Sequence, residues 1–234
     1  MERNLGIIIP VYNEGPNIKA TIDDIEKKVK TPHTIYIVYD FEEDNTLPVV
    51  QEMREAGLSL ELLKNPVRGV ASAIKTGLRE VQHEYLLVSM ADLSDDYTNV
   101  DQMCEQMDNG FDIVCGSRYM KGGKQIGGPL FKKMLSRAAG VSLKYLTSLP
   151  VHDVTNSFKL YRKSVVDQIE IESENGFEIG MEILVKTHFS GHKVTEVPTT
   201  WTDREEGKSK FKLFKWLPKY LRWYFYALKR NYFK

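Results

Sequence analysis

The chain has 234 residues, of which 42% are hydrophobic and 27% are charged, and this composition is typical of a globular protein rather than a disordered or fibrous one. Its 32 Lys and Arg residues balance 32 Asp and Glu residues, so the net charge gives no preference for nucleic acid. No apolar run approaches the ~20 residues that a membrane-spanning helix needs, so we expect any membrane contact to be peripheral.

The first half of the chain alternates strands and helices. The β-branched run at 7–9 predicts a buried strand that ends at Pro10, followed by a turn and a helix from about residue 17 or 18. Further strands are predicted at 34–39, 58–63, 85–90 and 112–115, with helices at 18–30, 48–56, 69–81 and 100–107. This order predicts an α/β fold with a mostly parallel sheet flanked by helices.

The second half is less regular and contains no linker that separates two domains. Four glycines between residues 122 and 128 mark a flexible loop, and a long helix is predicted at 129–146. Strands are predicted at 156–161 and 193–199, with a helix at 178–188. The chain therefore divides into a globular part, 1–210, and a tail, 211–234, in which aromatic and basic residues concentrate.

The cysteine usage and the N-terminus favour the cytoplasm. The two cysteines, Cys104 and Cys115, fall on a predicted helix and near a strand end, and we expect both to be reduced packing residues. Glu2 and Arg3 are followed at once by a strand, which is not the pattern of a signal peptide.

Acidic residues follow several of the predicted strands. Glu14, Asp40 and Asp92 each come directly after a strand, so a parallel sheet brings them to one edge, and Asp44 is a further candidate. Carboxylates there suit a hydrated metal ion, or the hydroxyl and ring N–H groups of a nucleotide. The alternative is that these are ordinary loop residues.

The common phosphate-binding motifs are missing. No G-x-G-x-x-G follows the first strand and no G-x-x-x-x-G-K-[ST] occurs, which disfavours a dinucleotide-binding oxidoreductase and a P-loop NTPase. Arg68 precedes a predicted helix and is placed to meet a phosphate or a nucleobase, although an ordinary helix start explains it equally well.

The tail has the pattern of a surface helix. From Lys208 onward there are nine Lys and Arg residues and no Asp or Glu. Pro218 predicts a helix start, because proline is tolerated at the first helical position. Basic residues beside large aromatics suit the headgroup region of an anionic bilayer, and the alternative is a helix packed on the domain with a solvated basic face. The predicted apolar stripe is Leu221, Tyr224, Phe225 and Leu228.

Several motifs in order resemble one enzyme family. They are Pro-Val-Tyr-Asn-Glu at 10–14, Asp40, the segment 65–77, Ala91-Asp92, Gly-Ser-Arg-Tyr at 116–119 and Arg-Glu-Glu-Gly-Lys-Ser-Lys at 204–210. This combination resembles the family 2 glycosyltransferases of GT-A fold, a Rossmann-like α/β fold. Within them it is most similar to the polyprenyl-phosphate glycosyltransferases of the dolichol-phosphate mannose synthase type.

The resemblance implies a role for individual residues. Pro10, Tyr12, Glu14 and Asp40 would surround the base and ribose of a nucleotide sugar, with Arg68 and Ala91 also on the nucleotide side. Asp92, the last residue of the family's D-x-D motif, would hold Mg²⁺ or Mn²⁺ against the diphosphate. The implied catalytic cations are Arg118 and Arg137, which would meet phosphate groups, and Arg204 and Lys208, which with Lys210 belong to a basic loop over both substrates.

The chain also departs from the family pattern. The usual D-A-D-L-Q reads Met90-Ala-Asp-Leu-Ser94, so the first Asp and the Gln are missing, and Asp95 and Asp96 are candidate replacements. The usual D-D after the second strand is Tyr39-Asp40, and D-x-T-S-G-F-R appears as Asp153-Val-Thr-Asn-Ser-Phe-Lys159.

Together these features predict an inverting, metal-dependent hexosyltransferase. It would use a GDP- or UDP-linked sugar and a polyprenyl phosphate such as dolichyl or undecaprenyl phosphate, at the cytoplasmic face of a membrane, without nucleic acid. Two alternatives stay open. The first is transfer to a glycan or other non-lipid acceptor, and the second is a non-catalytic protein that binds a nucleotide sugar or a lipid.

Overall fold

The computed structural model of the protein describes residues 5–174, 176–203 and 213–233, with side chains of the last segment described from Trp216 onward. The strands are β1 (Leu5–Pro10), β2 (His33–Tyr39), β3 (Leu60–Lys64), β4 (Tyr85–Val88), β5 (Ile113–Ser117), β6 (Lys124–Ile126), β7 (Lys159–Arg162), β8 (Val194–Pro198) and β9 (Thr200–Thr202). The helices are α1 (Gly15–Lys28), α2 (Thr46–Glu55), α3 (Val70–Glu80), α4 (Val100–Asp108), α5 (Leu130–Leu146), α6 (Lys163–Val166), α7 (Ile179–Phe189) and α8 (Leu213–Tyr232).

Seven strands form the central sheet, in the order β3-β2-β1-β4-β7-β5-β8. Six of them run in one direction, and β7 is antiparallel to both of its neighbours. The prediction of a mostly parallel sheet flanked by helices is therefore confirmed. Because the six parallel strands end at the same edge, the loops that follow β1, β2, β3, β4 and β5 lie side by side.

The apolar residues of the strands belong to two buried layers, one on each face of the sheet. Ile7 and Ile9 of β1 point into the layer that contains α1 and α4, whereas Ile8 points into the layer that contains α3 and α7. A strand with both faces covered needs a continuous apolar run, and this is why 7–9 reads Ile-Ile-Ile.

Three predicted elements in the second half of the globular part differ from those observed. The strand predicted at 156–161 is shorter and begins at Lys159, because residues 151–158 form the irregular segment in which Asp153 binds Arg118. The glycine-rich segment predicted as a loop contains β6, which pairs with β9 in a small parallel sheet. The strand predicted at 193–199 ends at Pro198, and β9 continues after it.

The helix of the tail begins earlier than predicted and packs on the domain. It starts at Leu213, so Pro218 lies inside it rather than at its first position. Proline near the N-terminal end removes only one backbone hydrogen bond, so the helix continues through it. Trp223 and Ala227 are buried in the second core layer, and Trp223 Nε1 donates to Ser173 Oγ over 3.2 Å.

Among the described helices, none combines the length and apolar character that crossing a bilayer requires.

Candidate active site

The loop after β2 is tied to the loop after β3 through Asp40. Asn65 Nδ2 donates to Asp40 Oδ1 over 2.7 Å, and the backbone N–H of Gly69 donates to Asp40 Oδ2 over 3.0 Å. Asn65 Oδ1 in turn accepts from Ser72 and Thr76 of α3. Asp40 is therefore held at the sheet edge by the segment that opens α3.

Glu14 and Asp44 lie beside Asp40, but Asp44 has a structural role. Asp44 is 1% exposed, and its oxygens accept from the backbone N–H groups of Asn13 and Thr46 and from the Thr46 hydroxyl. These bonds stabilise Asn13 in its left-handed conformation, with φ of 55°. Glu14, which is less buried, accepts from Asn17 at the start of α1. The structure therefore assigns Asp44 to stabilising this turn, and not to the ligand-binding role for which the sequence made it a candidate.

An aromatic and cationic cluster borders the same edge. The ring of Tyr12, half exposed, meets the ring of Phe41 edge to face at 5.5 Å. The guanidinium of Arg68 lies over Phe41 at 5.2 Å from the ring centre. Pro10 ends β1 opposite Val38, behind Tyr12. Sequence reasoning did not single out Phe41, although an aromatic residue directly after a strand is a signal of this kind of surface.

The turn after β4 carries Asp92. Ala91 is buried in the core and its carbonyl accepts from Thr21 of α1, so the turn is anchored from below. Leu93 adopts the left-handed conformation, with φ of 58°, and Ser94 donates its N–H to Asp92 Oδ1. A non-glycine residue in that conformation is strained, and such strain is concentrated at functional sites.

Asp95 lies buried in the same turn. Its Oδ2 accepts from Ser89 Oγ over 2.9 Å and from the N–H of Met90 over 3.2 Å. Burial, and then the negative charge of Asp92, raise the pKa of Asp95 to about 7. The positive charge of Arg118 opposes this shift.

Arg118 is held by Asp153. Its Nε and Nη2 donate to the two oxygens of Asp153 over 2.7 and 3.0 Å, and Nη2 also donates to Thr155 Oγ1. Burial by itself would raise the pKa of Asp153, but the charge of Arg118 and its hydrogen bonds outweigh burial and hold that pKa below its usual value. The fork geometry fixes the plane of the guanidinium.

Arg118 and Arg137 line one cationic cavity of about 350 Å³ between β5, β6 and α5. Two lysines that sequence reasoning missed complete the charge, Lys124 and Lys133, and none of the described residues that line the cavity carries a carboxylate. Four cations without a carboxylate among these described lining residues suit a phosphate group. The other residues that line it are Tyr119, Met120, Gly123 and Gln125.

Two close backbone approaches require glycine here. A Cβ on Gly123 would come within 2.2 Å of the Ser117 carbonyl, and one on Gly140 within 2.0 Å of the His152 carbonyl. Gly123 therefore lets the loop fold back over Arg118, and Gly140 lets α5 lie against the segment that contains Asp153.

The predicted site residues thus fall into two neighbouring groups. Glu14, Asp40 and Asp92 follow adjacent strands, and Arg118 with Arg137 lies next to them across the turn that holds Asp95. Arg204, Lys208 and Lys210 lie outside the described residues.

The turn after β4 has oxygen ligands that suit a divalent cation. The described residues contain no group of three or more His, Cys, Asp and Glu side chains arranged for a metal ion. They do offer two carboxylates in the same turn, Asp92 and Asp95, and the hydroxyl of Ser94, which is buried without a hydrogen-bond partner in the described residues. Carboxylate and hydroxyl oxygens are hard ligands, which Mg²⁺ and Mn²⁺ prefer.

Residues 6–170 match the sequence profile of glycosyl transferase family 2. The chain belongs to this family. The dolichol-phosphate mannosyltransferase of Pyrococcus furiosus is 33% identical over 213 residues, which are 89% of this chain and 59% of that protein. The polyprenol monophosphomannose synthase of Mycolicibacterium smegmatis is 28% identical over 211 residues, 87% of this chain and 79% of the synthase. The chain thus spans little more than half the length of the Pyrococcus relative.

Solved structures of other glycosyltransferases share the fold. Glucosyl-3-phosphoglycerate synthase from Mycobacterium tuberculosis, in complex with Mn²⁺, UDP and phosphoglyceric acid, gives a TM-score of 0.67 at 15% identity over 97% of this chain and 78% of the synthase. S. aureus TarS 1-349 in complex with UDP gives 0.67 at 16% identity, over 99% of this chain and 67% of TarS. These likenesses confirm the GT-A fold of this family 2 member.

Proposed function

We propose that this family 2 glycosyltransferase moves a hexose from a nucleotide sugar to a polyprenyl phosphate at an anionic membrane surface. The observation that carries the proposal is the position of the cationic cavity. It opens beside α5, whose outer face is apolar, so a phosphate bound in the cavity and a hydrocarbon chain beside it have suitable surfaces next to each other.

The apolar stripe of α5 is exposed at both ends of the helix. Met134 is 69% exposed and Tyr145 79%, whereas Gly140 and Leu143 are buried against the domain. Arg137, which lines the cavity, is on the turn after Met134. A solvent-exposed stripe of this kind is not expected in a helix whose only function is packing. The exposed apolar residues of α5 are Leu130, Phe131, Met134, Ala138, Tyr145 and Leu146.

The outer face of α8 adjoins that stripe. Tyr224 Oη and Ser142 Oγ are 2.9 Å apart, and Tyr232 Oη donates to the Leu146 carbonyl over 2.6 Å, so the two helices lie side by side. Both turn their buried residues to the domain, and their exposed residues therefore face the same way. Phe225 is 60% exposed, and Lys229 and Arg230 flank it. Apolar and basic residues together favour the surface of an anionic bilayer.

The residues fit a direct displacement. An oxygen of the acceptor phosphate attacks the anomeric carbon, and a bond forms there while the bond to the nucleoside diphosphate breaks, so the configuration inverts. The attacking oxygen is already anionic, so no general base is needed. Arg118 and Arg137 position the acceptor phosphate, and Asp40 and Glu14 accept hydrogen bonds from the base and ribose of the donor.

Asp92 would hold the divalent cation, Mg²⁺ or Mn²⁺, against the donor diphosphate. When bound, such a cation stabilises the charge that develops on the leaving nucleoside diphosphate. The Mn²⁺ and UDP bound to the Mycobacterium synthase support this assignment, as do the oxygen ligands of the turn after β4.

A soluble phosphate-bearing acceptor is the second candidate. The phosphoglyceric acid bound to the Mycobacterium synthase favours it, and so does the packing of α8 on the domain, which does not require a membrane. The cationic cavity would bind the phosphate of such an acceptor equally well. The apolar face of α5 and α8 is therefore the feature that favours a lipid acceptor over a soluble one.

A donor screen tests the proposal. Purified protein is incubated with Mn²⁺ and one GDP- or UDP-linked hexose at a time. The acceptor is either phosphoglycerate or anionic vesicles that contain undecaprenyl or dolichyl phosphate, in parallel reactions. We expect a glycolipid whose mass equals polyprenyl phosphate plus one hexosyl group. Transfer to phosphoglycerate and none to the lipid would select the second candidate, and turnover with neither acceptor would overturn both.

A further inference from the structure

The turn after β4 contains two acidic residues that follow Asp92, and the structure distinguishes their roles. The family pattern carries an Asp at the position of Met90 and a Gln at that of Ser94, and this chain lacks both. Other side chains of the turn must therefore supply any oxygen ligands that these two residues would have provided. The inference that follows rests on the proposed function, since a cation is needed only if the protein handles a nucleoside diphosphate.

Asp96 is committed to structural contacts. Its Oδ1 accepts from the N–H of Thr98 over 3.1 Å and from the Thr98 hydroxyl over 2.6 Å, which caps the short helical turn that precedes α4. The same oxygen forms an ion pair with Lys28 of α1 at 3.1 Å. Asp96 therefore anchors α1 to this turn and is directed away from the sheet edge.

Asp95 occupies the space beside residue 90. It is 7% exposed, and its Oδ2 accepts from the N–H of Met90 and from the hydroxyl of Ser89. These two residues follow β4 directly. In the described residues no hydrogen bond ends on Oδ1. Asp92 belongs to the same turn, because its Oδ1 accepts over 3.2 Å from the N–H of Ser94, the residue that precedes Asp95.

Ser94 provides an independent observation. Its hydroxyl oxygen is buried and has no hydrogen-bond partner in the part of the chain that the structure describes. Its backbone is nevertheless fixed, because its N–H donates to Asp92 Oδ1 and its carbonyl accepts from the N–H of Thr202. A buried hydroxyl without a partner destabilises the fold unless something else binds to it. Along the chain, Ser94 stands between Asp92 and Asp95.

We propose that Asp95 and Ser94, together with Asp92, hold the divalent cation, so that Asp95 replaces the carboxylate missing at position 90. Asp95 lies five residues further along the chain than Met90, but the turn folds back so that its carboxylate contacts the backbone N–H of Met90. Substrate phosphate oxygens and water complete the coordination, as is usual for hard cations that accompany nucleotides.

Mn²⁺ titration followed by electron paramagnetic resonance, in the presence of excess UDP or GDP, tests this inference without any turnover. We expect Asp95→Asn to weaken Mn²⁺ binding by roughly tenfold or more, the scale found when groups around a metal are removed. Asp96→Asn is the matched control, because it removes the same charge one residue away, and its Mn²⁺ affinity should equal that of the wild type.

A rescue variant makes the test specific. Met90→Asp combined with Asp95→Asn returns a carboxylate to the family position, and we expect it to recover most of the lost Mn²⁺ affinity. A merely structural role of Asp95 would not be rescued in this way. Thermal unfolding and binding of nucleotide without Mn²⁺ establish that each variant is folded.

Ser94→Ala keeps the inference testable if Asp95→Asn does not fold. It loses no hydrogen bond among the described residues, so we expect an unchanged or higher melting temperature and weaker Mn²⁺ binding. Wild-type affinity in both Asp95→Asn and Ser94→Ala would overturn the inference and leave the proposed function intact. If the wild type itself bound Mn²⁺ no more tightly with nucleotide than without it, the metal-assisted function would fail as well.

Discussion

Arg118 and Asp153 form a two-bond ion pair, with Nε to Oδ2 at 2.7 Å and Nη2 to Oδ1 at 3.0 Å, at the base of the cationic cavity. The carboxylate is fully buried and the guanidinium side chain is 10% exposed. Asp153 uses its hydrogen bonds on Arg118 and on its own loop, so it acts as a positioning residue, while Arg118 faces the cavity.

Asp153→Asn should destabilise the protein by about 3–5 kcal/mol, because it leaves Arg118 buried without its counter-charge. Urea unfolding followed by circular dichroism measures the change. Asp23→Asn is the control, because its ion pair with Lys19 is exposed on both sides and should contribute less than about 0.5 kcal/mol. Equal effects of the two substitutions would contradict the role of the buried pair.

The same pair predicts a pH dependence. The pKa of Asp153 is lower in the folded protein than in the unfolded chain, where a carboxyl titrates near about 3.9. The stabilisation is therefore complete above that pH and is lost as the pH falls through the lower folded value. We expect the difference in unfolding free energy between the wild type and Asp153→Asn to narrow below about pH 4. A gap that stayed constant to pH 2 would contradict this.

Arg137→Ala should weaken binding of the acceptor without destabilising the fold. Arg137 is exposed at the mouth of the cavity, so its loss should change the unfolding free energy by less than about 0.5 kcal/mol. A charged hydrogen bond to phosphate is worth about 1.5–3 kcal/mol, so KM for polyprenyl phosphate should rise about 10- to 100-fold, with KM for the donor unchanged. Arg79→Ala, on the exposed face of α3, controls for loss of one positive charge.

Met134→Glu and Phe225→Glu should each reduce binding to anionic vesicles, because each places a charge on the exposed face shared by α5 and α8. Vesicle co-sedimentation measures the bound fraction. Gln51→Glu adds the same charge on α2, which packs on the opposite side of the sheet, and should leave binding unchanged. If all three variants bound vesicles like the wild type, the surface of α5 and α8 would not be the membrane contact.

Trp223→Ala should cost about 3–5 kcal/mol of unfolding free energy, because Trp223 is 2% exposed between Lys186 and Arg222. Phe225→Ala, two residues away on the exposed face, should cost less than about 0.5 kcal/mol. Chemical denaturation compares them. A stable Trp223→Ala protein would mean that α8 is a detachable tail, whereas the expected loss makes it part of the domain.

The order of strands and helices could be predicted because each strand is a short apolar run and each helix has its own spacing. The insertion of β7 between β4 and β5 could not, since pairing between distant segments leaves no local signal. For the same reason the sequence identified Arg118 but not the roles of Lys124 and Lys133, which reach the cavity from β6 and α5.

Two local interpretations needed the structure for a different reason. Asp44 has the sequence position of a ligand-binding carboxylate, and only its burial against Thr46 and the N–H of Asn13 assigns it to the turn. The apolar stripe predicted in the tail has the spacing of a core-facing surface, but a helical period does not reveal which side of the helix meets the domain. The structure buries Trp223 and Ala227, whereas Leu221 and Phe225 of the predicted stripe are exposed.

The central claim is that the cationic cavity and the carboxylates Glu14, Asp40 and Asp92 take part in one reaction. Its most direct test is to measure nucleoside diphosphate and glycolipid together, with vesicle-borne polyprenyl phosphate as acceptor, for the wild type, Asp92→Ala and Arg118→Lys. We expect the wild type to release one nucleoside diphosphate for each glycolipid of inverted configuration, and both folded variants to lose at least about 100-fold in rate. Wild-type rates in Asp92→Ala, or release of nucleoside diphosphate without glycolipid, would contradict the account.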